Sequence, residues 1–219
     1  MIFVSVRPPN LVRPNWVWCV TGHPARRQCG APFFARFPTL LDSRWLRQFN
    51  ARVPLDKLTI IGAGLLGGSI GLAARARGLA RRVSALVRRP ESLAECQALG
   101  IANEVTLDPA EAVAGADLVV LCTPISGMAG LAKRTLSDLK PGTVITDVGS
   151  TKQQLVAELT PLCAGAGARF VGSHPMAGSE QTGPSAARAD LFDGTVCVVT
   201  PTSDTAANAL ATVNDFWAG

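Results

Sequence analysis

Two blocks late in the chain carry side chains that can move protons. The first is Thr146-Asp147-Val148-Gly149-Ser150-Thr151-Lys152, which follows a short apolar run and leads into a helical pattern from Gln153 to Leu162. The second is Phe170-Val171-Gly172-Ser173-His174-Pro175-Met176-Ala177-Gly178-Ser179-Glu180, at the end of the next apolar run. An imidazole titrates near neutral pH, so His174 can accept or give a proton there. A single His before Pro can equally be a satisfied turn residue. The Ser150 hydroxyl can bond a substrate oxygen, or it can cap the Gln153 helix, since serine is a favoured N-cap. Both roles can hold together. Lys152 reads as a helix-surface charge or as an aid to a cofactor. Each block falls at a strand's carboxyl end, so Ser150 and His174 are expected at one edge of a sheet.

The same edge has an earlier marker. Leu58 to Ser69 reads LTIIGAGLLGGS: an apolar strand, then Gly62-Ala63-Gly64-Leu65-Leu66-Gly67, then a small-residue helix pattern. Glycine-rich turns are common, but strand, GxGxxG and helix in this order are the context that a dinucleotide site needs. Gly62 allows the tight turn, Gly64 lets a pyrophosphate approach the backbone, and Gly67 lets the helix pack on the strand. The free N–H groups around Leu65 and Leu66 then face the phosphates. A helix follows from Leu65 to about Arg77, closed by Gly78, and a strand from Val83 to Val87. An NAD site places Asp or Glu about 20 residues past the glycines, to hold the ribose 2′-OH. Here Arg88-Arg89-Pro90 stands at that point. A guanidinium fork suits a 2′-phosphate, so NADP is preferred to NAD, the alternative being a solvated arginine pair.

Alternation continues downstream. A helix over Glu91–Leu99 and a strand over Glu104–Thr106 come first, then a helical turn at Pro109–Val113. A buried strand over Asp117–Leu121 ends at Cys122-Thr123-Pro124, where ligands sit in such sheets. A helix over Met128–Leu139, a strand over Val144–Asp147 and a last helix over Asp204–Trp217 complete the pattern. It predicts an α/β fold with a doubly wound, mostly parallel Rossmann-type sheet and helices on both faces.

Composition sets the remaining bounds. Of 219 residues, 47% are hydrophobic, enough for a sizeable core. Residues 1–53 hold eight Arg, no Lys and one acid, whereas residues 54–219 hold 13 basic and 15 acidic side chains. The net charge of +5 therefore belongs to the leading segment, and a nucleic-acid partner is not expected for the whole. That segment, with three of the four Trp and five of the eight Phe, shows no lasting periodicity. It reads as a basic arm or, preferably, as an irregular leader outside a fold that begins near residue 54. A Cys19/His23/Cys29 metal site would have irregular spacing, so no metal is expected. The six cysteines, without a close repeated spacing, read as reduced and mostly buried. No apolar run reaches the length of a membrane span and no secretory signal pattern opens the chain, so a cytoplasmic protein is expected.

GxGLxGGS, DVGSTK, GSHPMAGSE and the later Leu191-Phe192 and Thr200-Pro201 together resemble the prephenate and arogenate dehydrogenases of tyrosine biosynthesis, over roughly residues 57–219. The resemblance implies NAD(P)-dependent oxidative decarboxylation: a hydride leaves the ring carbon bearing the hydroxyl, carbon dioxide departs, and an aromatic ring forms. It implies that His174 accepts the hydrogen bond of that hydroxyl and that Ser150 fixes its direction. Ser179 and Glu180 match positions lining the substrate pocket, although Glu180 can also be a solvated acid. Thr123 and Pro124 match the loop beside the nicotinamide and ribose. The family carries a second, helical domain that completes the site and dimerises. Since this chain stops at Gly219, it is expected to be the N-terminal part only, with that domain absent and dimerisation in doubt. Another dehydrogenase of the β-hydroxyacid type, or a non-catalytic NADP-binding module, are the competing readings.

Overall fold

The computed structural model describes residues 1–6, the backbone of 18–19, and residues 54–219. Six parallel strands form the central sheet: β3 (Leu55–Ile61), β4 (Ala80–Leu86), β5 (Glu104–Thr106), β6 (Leu118–Leu121), β7 (Val144–Asp147) and β8 (Arg169–Phe170). Their order is β5-β4-β3-β6-β7-β8, which is third, second, first, fourth, fifth, sixth in chain order. That is the doubly wound arrangement expected from the alternating pattern, with its reversal point between β3 and β6.

Helices cover both faces, which is why the central strands read as continuous apolar runs. The period of two then sorts neighbouring residues into two cores. Leu58, Ile60, Leu118, Val120 and Val144 pack on one side with Ile70 and Ala74 of α1 (Leu65–Arg77) and Val213 and Trp217 of the last helix, α6 (Ala207–Ala218). Ile61, Val119, Leu121 and Ile145 pack on the other with Met128 of α4 (Ile125–Thr135) and Leu155 and Leu159 of α5 (Gln153–Gly165). The short α2 (Pro90–Ala98) and α3 (Pro109–Val113) complete the units. Strand and helix limits fall within a few residues of the sequence expectation. The largest differences are in α4, which starts right after Pro124 and gives way to a 3-10 turn at Leu136–Asp138, and α5, which runs on to Gly165.

The sequence pattern did not announce a second sheet. After Phe170 the chain bends at Val171 into β9 (Gly172–Pro175), which leaves the parallel sheet and pairs antiparallel with β10 (Val196–Thr200). β10 pairs in turn with β1 (Ile2–Ser5), and β1 with β2 (Trp18–Cys19). The structure thus differs from the expectation of a leader wholly outside the fold. Ile2 faces Val199 and Val4 faces Cys197 across the ladder, and Val6 exchanges backbone bonds of 2.9 and 3.0 Å with Thr195 and Gly194. Val4 and Val6 are buried in the first core. Five alternating residues suffice here, because the open edge of β10 leaves backbone groups in need of partners. Residues 7–17 and 20–53, with the Cys19/His23/Cys29 question, lie outside the described residues.

Burial in β1 alternates, with Val4 inside and Ser5 exposed. Placing a carboxylate inside should therefore cost far more than placing one outside. Val4→Asp is expected to lower the unfolding free energy by about 3 kcal/mol or more, and Ser5→Asp by under about 1 kcal/mol. Urea denaturation of the two variants checks this, and equal effects would place β1 outside the folded core.

Candidate active site

The glycine turn is built as the fingerprint requires. Gly62 ends β3 with φ of 98°, a conformation open to glycine, and its N–H bonds the Leu86 carbonyl at 3.0 Å. A Cβ on Gly67 would stand 2.0 Å from the Gly62 carbonyl oxygen, so only glycine lets α1 start this close to the turn. A Cβ on Gly64, by contrast, would meet nothing within 4 Å. Space is therefore left open where a phosphate would approach. Leu65 and Leu66, half-buried, begin α1, whose N-cap Gly64 offers no side-chain cap and whose first turn holds no acid. These N–H groups can receive an anion without competition.

Thr123 sits directly against this turn: its Cγ2 is 2.8 Å from where a Gly62 Cβ would be. Its hydroxyl is buried without a hydrogen-bond partner, a polar atom for which a bound group would supply the missing contact. Pro124 is the N-cap position of α4. Arg88 and Arg89 stand exposed just past the end of β4, Arg89 as the N-cap residue of α2. These features fit a dinucleotide along the carboxyl edge of β4, β3 and β6.

The edge continues into the second block. Ile125, next to Pro124, lies against Gly149, where a Cβ would meet its side chain at 2.9 Å. Gly149 follows Asp147, the fully buried last residue of β7. Three donors converge on that carboxylate: the Gly149 N–H at 2.8 Å, the Ser173 N–H at 3.1 Å, and the Lys152 ammonium. Burial pushes the Asp147 carboxyl up from its ordinary range and the Lys152 ammonium down from its own, while each partner opposes the shift of the other. Lys152 is therefore not a free surface charge. It is one half of an internal ion pair.

Ser173 carries the network onto β9. Its hydroxyl donates to the Asp147 carbonyl at 2.6 Å, lies 2.8 Å from the Thr146 hydroxyl, and accepts the Trp217 indole N–H at 3.0 Å. His174, the next residue, is half-buried. It pairs with Val198 inside the antiparallel sheet, a correction to its expected place at the end of a parallel strand. Burial first, and then the nearby Lys152 cation, hold its pKa below the ordinary histidine value, with Asp147 acting in the opposite sense. A neutral imidazole at pH 7 is the consequence. Cys197, facing Pro175 across the ladder, has its thiol pushed up to about 12, mainly by burial, and stays protonated.

Of the other expected residues, Ser150 is exposed just after Gly149. It does not cap α5, whose N-cap is Lys152 without any side-chain cap bond. Ser179 and Glu180 are exposed in the loop after β9, where the Ser179 hydroxyl accepts the Gln181 N–H at 3.2 Å. They stand outside the buried network. Sequence reasoning missed Asp147, Ser173 and Trp217. The available signal was an acid closing the apolar run Val144-Ile145-Thr146, five residues before a lysine. A cavity of about 360 Å³ lies near Arg169 and the start of α6, at the opposite end of β8, and plays no part in this edge.

With this geometry in view, the family model for the prephenate dehydrogenase nucleotide-binding domain matches residues 70–219. The chain belongs to that family. Among relatives of the prephenate dehydrogenase family, the cyclohexadienyl dehydrogenase of Zymomonas mobilis is 35% identical over 160 residues, covering 73% of this chain and 54% of that protein. The prephenate dehydrogenase of Lactococcus lactis is 36% identical over 151 residues, covering 68% and 42%. The crystal structure of prephenate dehydrogenase from A. aeolicus, in complex with hydroxyphenyl propionate and NAD+, superposes with a TM-score of 0.69 at 30% identity, over 76% of this chain and 57% of that one. The chain spans about half the length of the curated relatives it matches. A 3-hydroxyisobutyrate dehydrogenase structure at 16% identity shares the fold alone.

Among the described residues, no cluster of His, Cys, Asp and Glu could hold a metal, and no helix is long and apolar enough to cross a membrane.

The Cβ geometry separates two glycines of one motif. Gly64→Ala should fold with nearly unchanged thermal stability yet bind a nicotinamide dinucleotide roughly tenfold or more weakly, since its methyl group fills the phosphate approach. Gly67→Ala should instead lower the melting temperature, because the turn itself must move. Thermal melts with fluorescence titration of the cofactor distinguish these outcomes.

Proposed function

We propose that this chain is the dinucleotide-binding and proton-accepting part of a prephenate or arogenate dehydrogenase, acting on a small cyclohexadienyl substrate in the cytoplasm. The observation that carries this reading is continuity. From the Gly62–Gly67 turn through Thr123, Ile125, Gly149 and Asp147 to Ser173 and His174, each group lies against the next along one sheet edge. A dinucleotide with its pyrophosphate at the first end would carry its nicotinamide past Thr123 toward the neutral imidazole at the other.

Gly62, Gly64, Gly67 and the first turn of α1 would hold the pyrophosphate, Thr123 and Pro124 the nicotinamide side, and Arg88 and Arg89 the 2′-phosphate of NADP. When bound, the cofactor supplies the acceptor for the hydride. The protein's own part is orientation and proton handling. His174 Nδ1 or Nε2 accepts the hydrogen bond of the substrate hydroxyl as the carbon beneath it gains carbonyl character. Ser150, exposed at the same edge, fixes the direction of that hydroxyl. Ser179 and Glu180 border the substrate from the loop after β9. Burial, and after it the nearby Lys152 cation, disfavour the protonated imidazole, so that it begins the reaction as an acceptor. Homodimerisation is part of the proposal for the full-length protein.

A second reading rests on the share of its relatives' length that this chain spans: a module that binds NADP and turns over nothing by itself. Mixing the protein with prephenate or arogenate and NADP, and following the near-ultraviolet absorbance of reduced nicotinamide, decides between them. A steady rise supports the enzyme, and cofactor binding without a rise supports the module.

Where turnover is measured, His174→Asn should lower it by about 10²–10⁴, the span for loss of a positioned acid–base group. A near-normal rate would remove His174 from the reaction. The pH dependence has a definite sign. The acceptor must be unprotonated, and its pKa is depressed, so kcat/KM should fall only as pH drops below about 6.5, the ordinary histidine value. A fall already complete at pH 7 would contradict the assignment.

Arg88→Asp combined with Arg89→Ala should shift the NADP/NAD affinity ratio toward NAD by roughly tenfold or more, as expected for losing charge-assisted bonds to a phosphate. An unchanged ratio would mean that both arginines are merely solvated.

A further inference from the structure

The Ser173 hydroxyl is fully buried and stands at a crossing of three elements: β7 through Asp147 and Thr146, β9 through its own backbone, and α6 through Trp217. Counting protons shows what each partner does. Thr146 and Ser173 have one hydroxyl proton apiece, and three contacts compete for them. The Thr146 hydroxyl lies 2.7 Å from the Val171 carbonyl, the Ser173 hydroxyl lies 2.6 Å from the Asp147 carbonyl, and the two hydroxyls lie 2.8 Å from each other. With one proton on each carbonyl, the contact between the two oxygens has none of its own. Ser173 Oγ then accepts the indole N–H of Trp217 at 3.0 Å, with the buried Cys197 thiol also beside it.

That N–H ties α6 to β9 at the point where β9 crosses the end of β7. Without it, an acceptor lone pair of the buried Ser173 hydroxyl is left unmet and α6 no longer holds that hydroxyl in place. Trp217 is itself held firmly, 3% exposed and in edge-to-face contact with Phe192 and Phe216 at centroid distances of 5.6 and 5.1 Å.

We propose that Trp217 is a positioning residue for His174: its indole N–H, acting through Ser173 Oγ, fixes the seat of β9 on the carboxyl end of β7, and with it the placement of the imidazole one residue further on. Its importance to chemistry rests on the role proposed for His174, but the placement itself can be read without turnover. Two groups act electrically on the imidazole: Lys152 ahead of α5 and Asp147 at the end of β7. A looser β9 admits water and moves the imidazole away from Lys152. Both changes favour the protonated ring.

The chain has two histidines, so with His23→Gln a single imidazole signal remains for proton NMR titration of the full chain. Trp217→Phe keeps an aromatic ring and deletes the N–H, while Ser173→Ala deletes its acceptor. Each variant is expected to raise the His174 titration midpoint by about 0.5 pH unit or more. Their combination should raise it no further than Ser173→Ala alone, because the acceptor of the indole bond is already gone there. Lowered melting temperatures with an unmoved midpoint would reduce Trp217 to packing and overturn the proposal. So would midpoint shifts that add in the double variant. Should Trp217→Phe fail to fold, Ser173→Ala alone still decides, since an unmoved midpoint there breaks the connection. No substrate or cofactor enters the measurement, so absence of dehydrogenase activity would count against the proposed function and leave this result intact.

Discussion

A carboxylate with no solvent exposure holds the site edge together. Removing an ionised group from water costs several kcal/mol even after relaxation, and an ion pair in the interior often does no better than break even. Burial raises the pKa of Asp147, and a concentration of donors opposes that shift: the Lys152 ammonium on one oxygen, shared with the Gly149 N–H, and the Ser173 N–H on the other. The return on that arrangement is geometric more than energetic. Each donor belongs to a different piece of chain, so satisfying one carboxylate fixes the loop after β7, the start of α5 and the start of β9 at once. Gly172 contributes by its lack of a side chain. A Cβ there would press on the Lys152 stem at 3.3 Å and on Val156 at 3.2 Å.

The two ends of the edge solve different problems with different chemistry. At the Gly62–Gly67 turn, everything offered to a ligand is backbone, and side chains are excluded so that the backbone can be reached. At the β7–β9 end, the backbone is fully engaged and the side chains do the presenting. His174 projects from a strand whose neighbours are locked on both sides, by Asp147 through Ser173 and by Val198 across the ladder. A base that must meet one hydroxyl benefits from such rigidity, because a misplacement of about 1 Å can cost roughly 10²-fold in rate.

The parallel sheet was legible because its signals are local. Leu58–Ile61 and Leu118–Leu121 are apolar on both faces, and the glycine turn has a spacing that little else explains. Ser150 and Thr123 could be placed just past the ends of β7 and β6 for the same reason, whereas His174 was expected at a parallel strand end and stands on β9. The rest depends on contacts between segments distant in sequence. β9 reads as a continuation of β8, and only its pairing with β10, more than twenty residues later, shows that the chain has changed sheets. β1 is four residues of ordinary alternation whose meaning comes from the β10 edge. Asp147 and Ser173 look like a strand-end acid and a small spacer until they are seen 3.1 Å apart. Trp217 gives no sign in sequence of reaching residue 173, because its role arises from where α6 docks.

The electrostatics of His174 follow from the asymmetry of the pair beneath it. A perfectly balanced Asp–Lys pair would leave a nearby imidazole little disturbed. Here the Lys152 contribution outweighs that of Asp147, and both act in a region that already disfavours charge. The Lys152 side chain keeps 14% exposure while Asp147 keeps none. The cation is therefore the member of the pair facing the open side of the edge, and the carboxylate lies behind it. Burial and an anchored charge thus both disfavour protonation of His174, and the anchor is the same carboxylate that sets the backbone on which the imidazole stands.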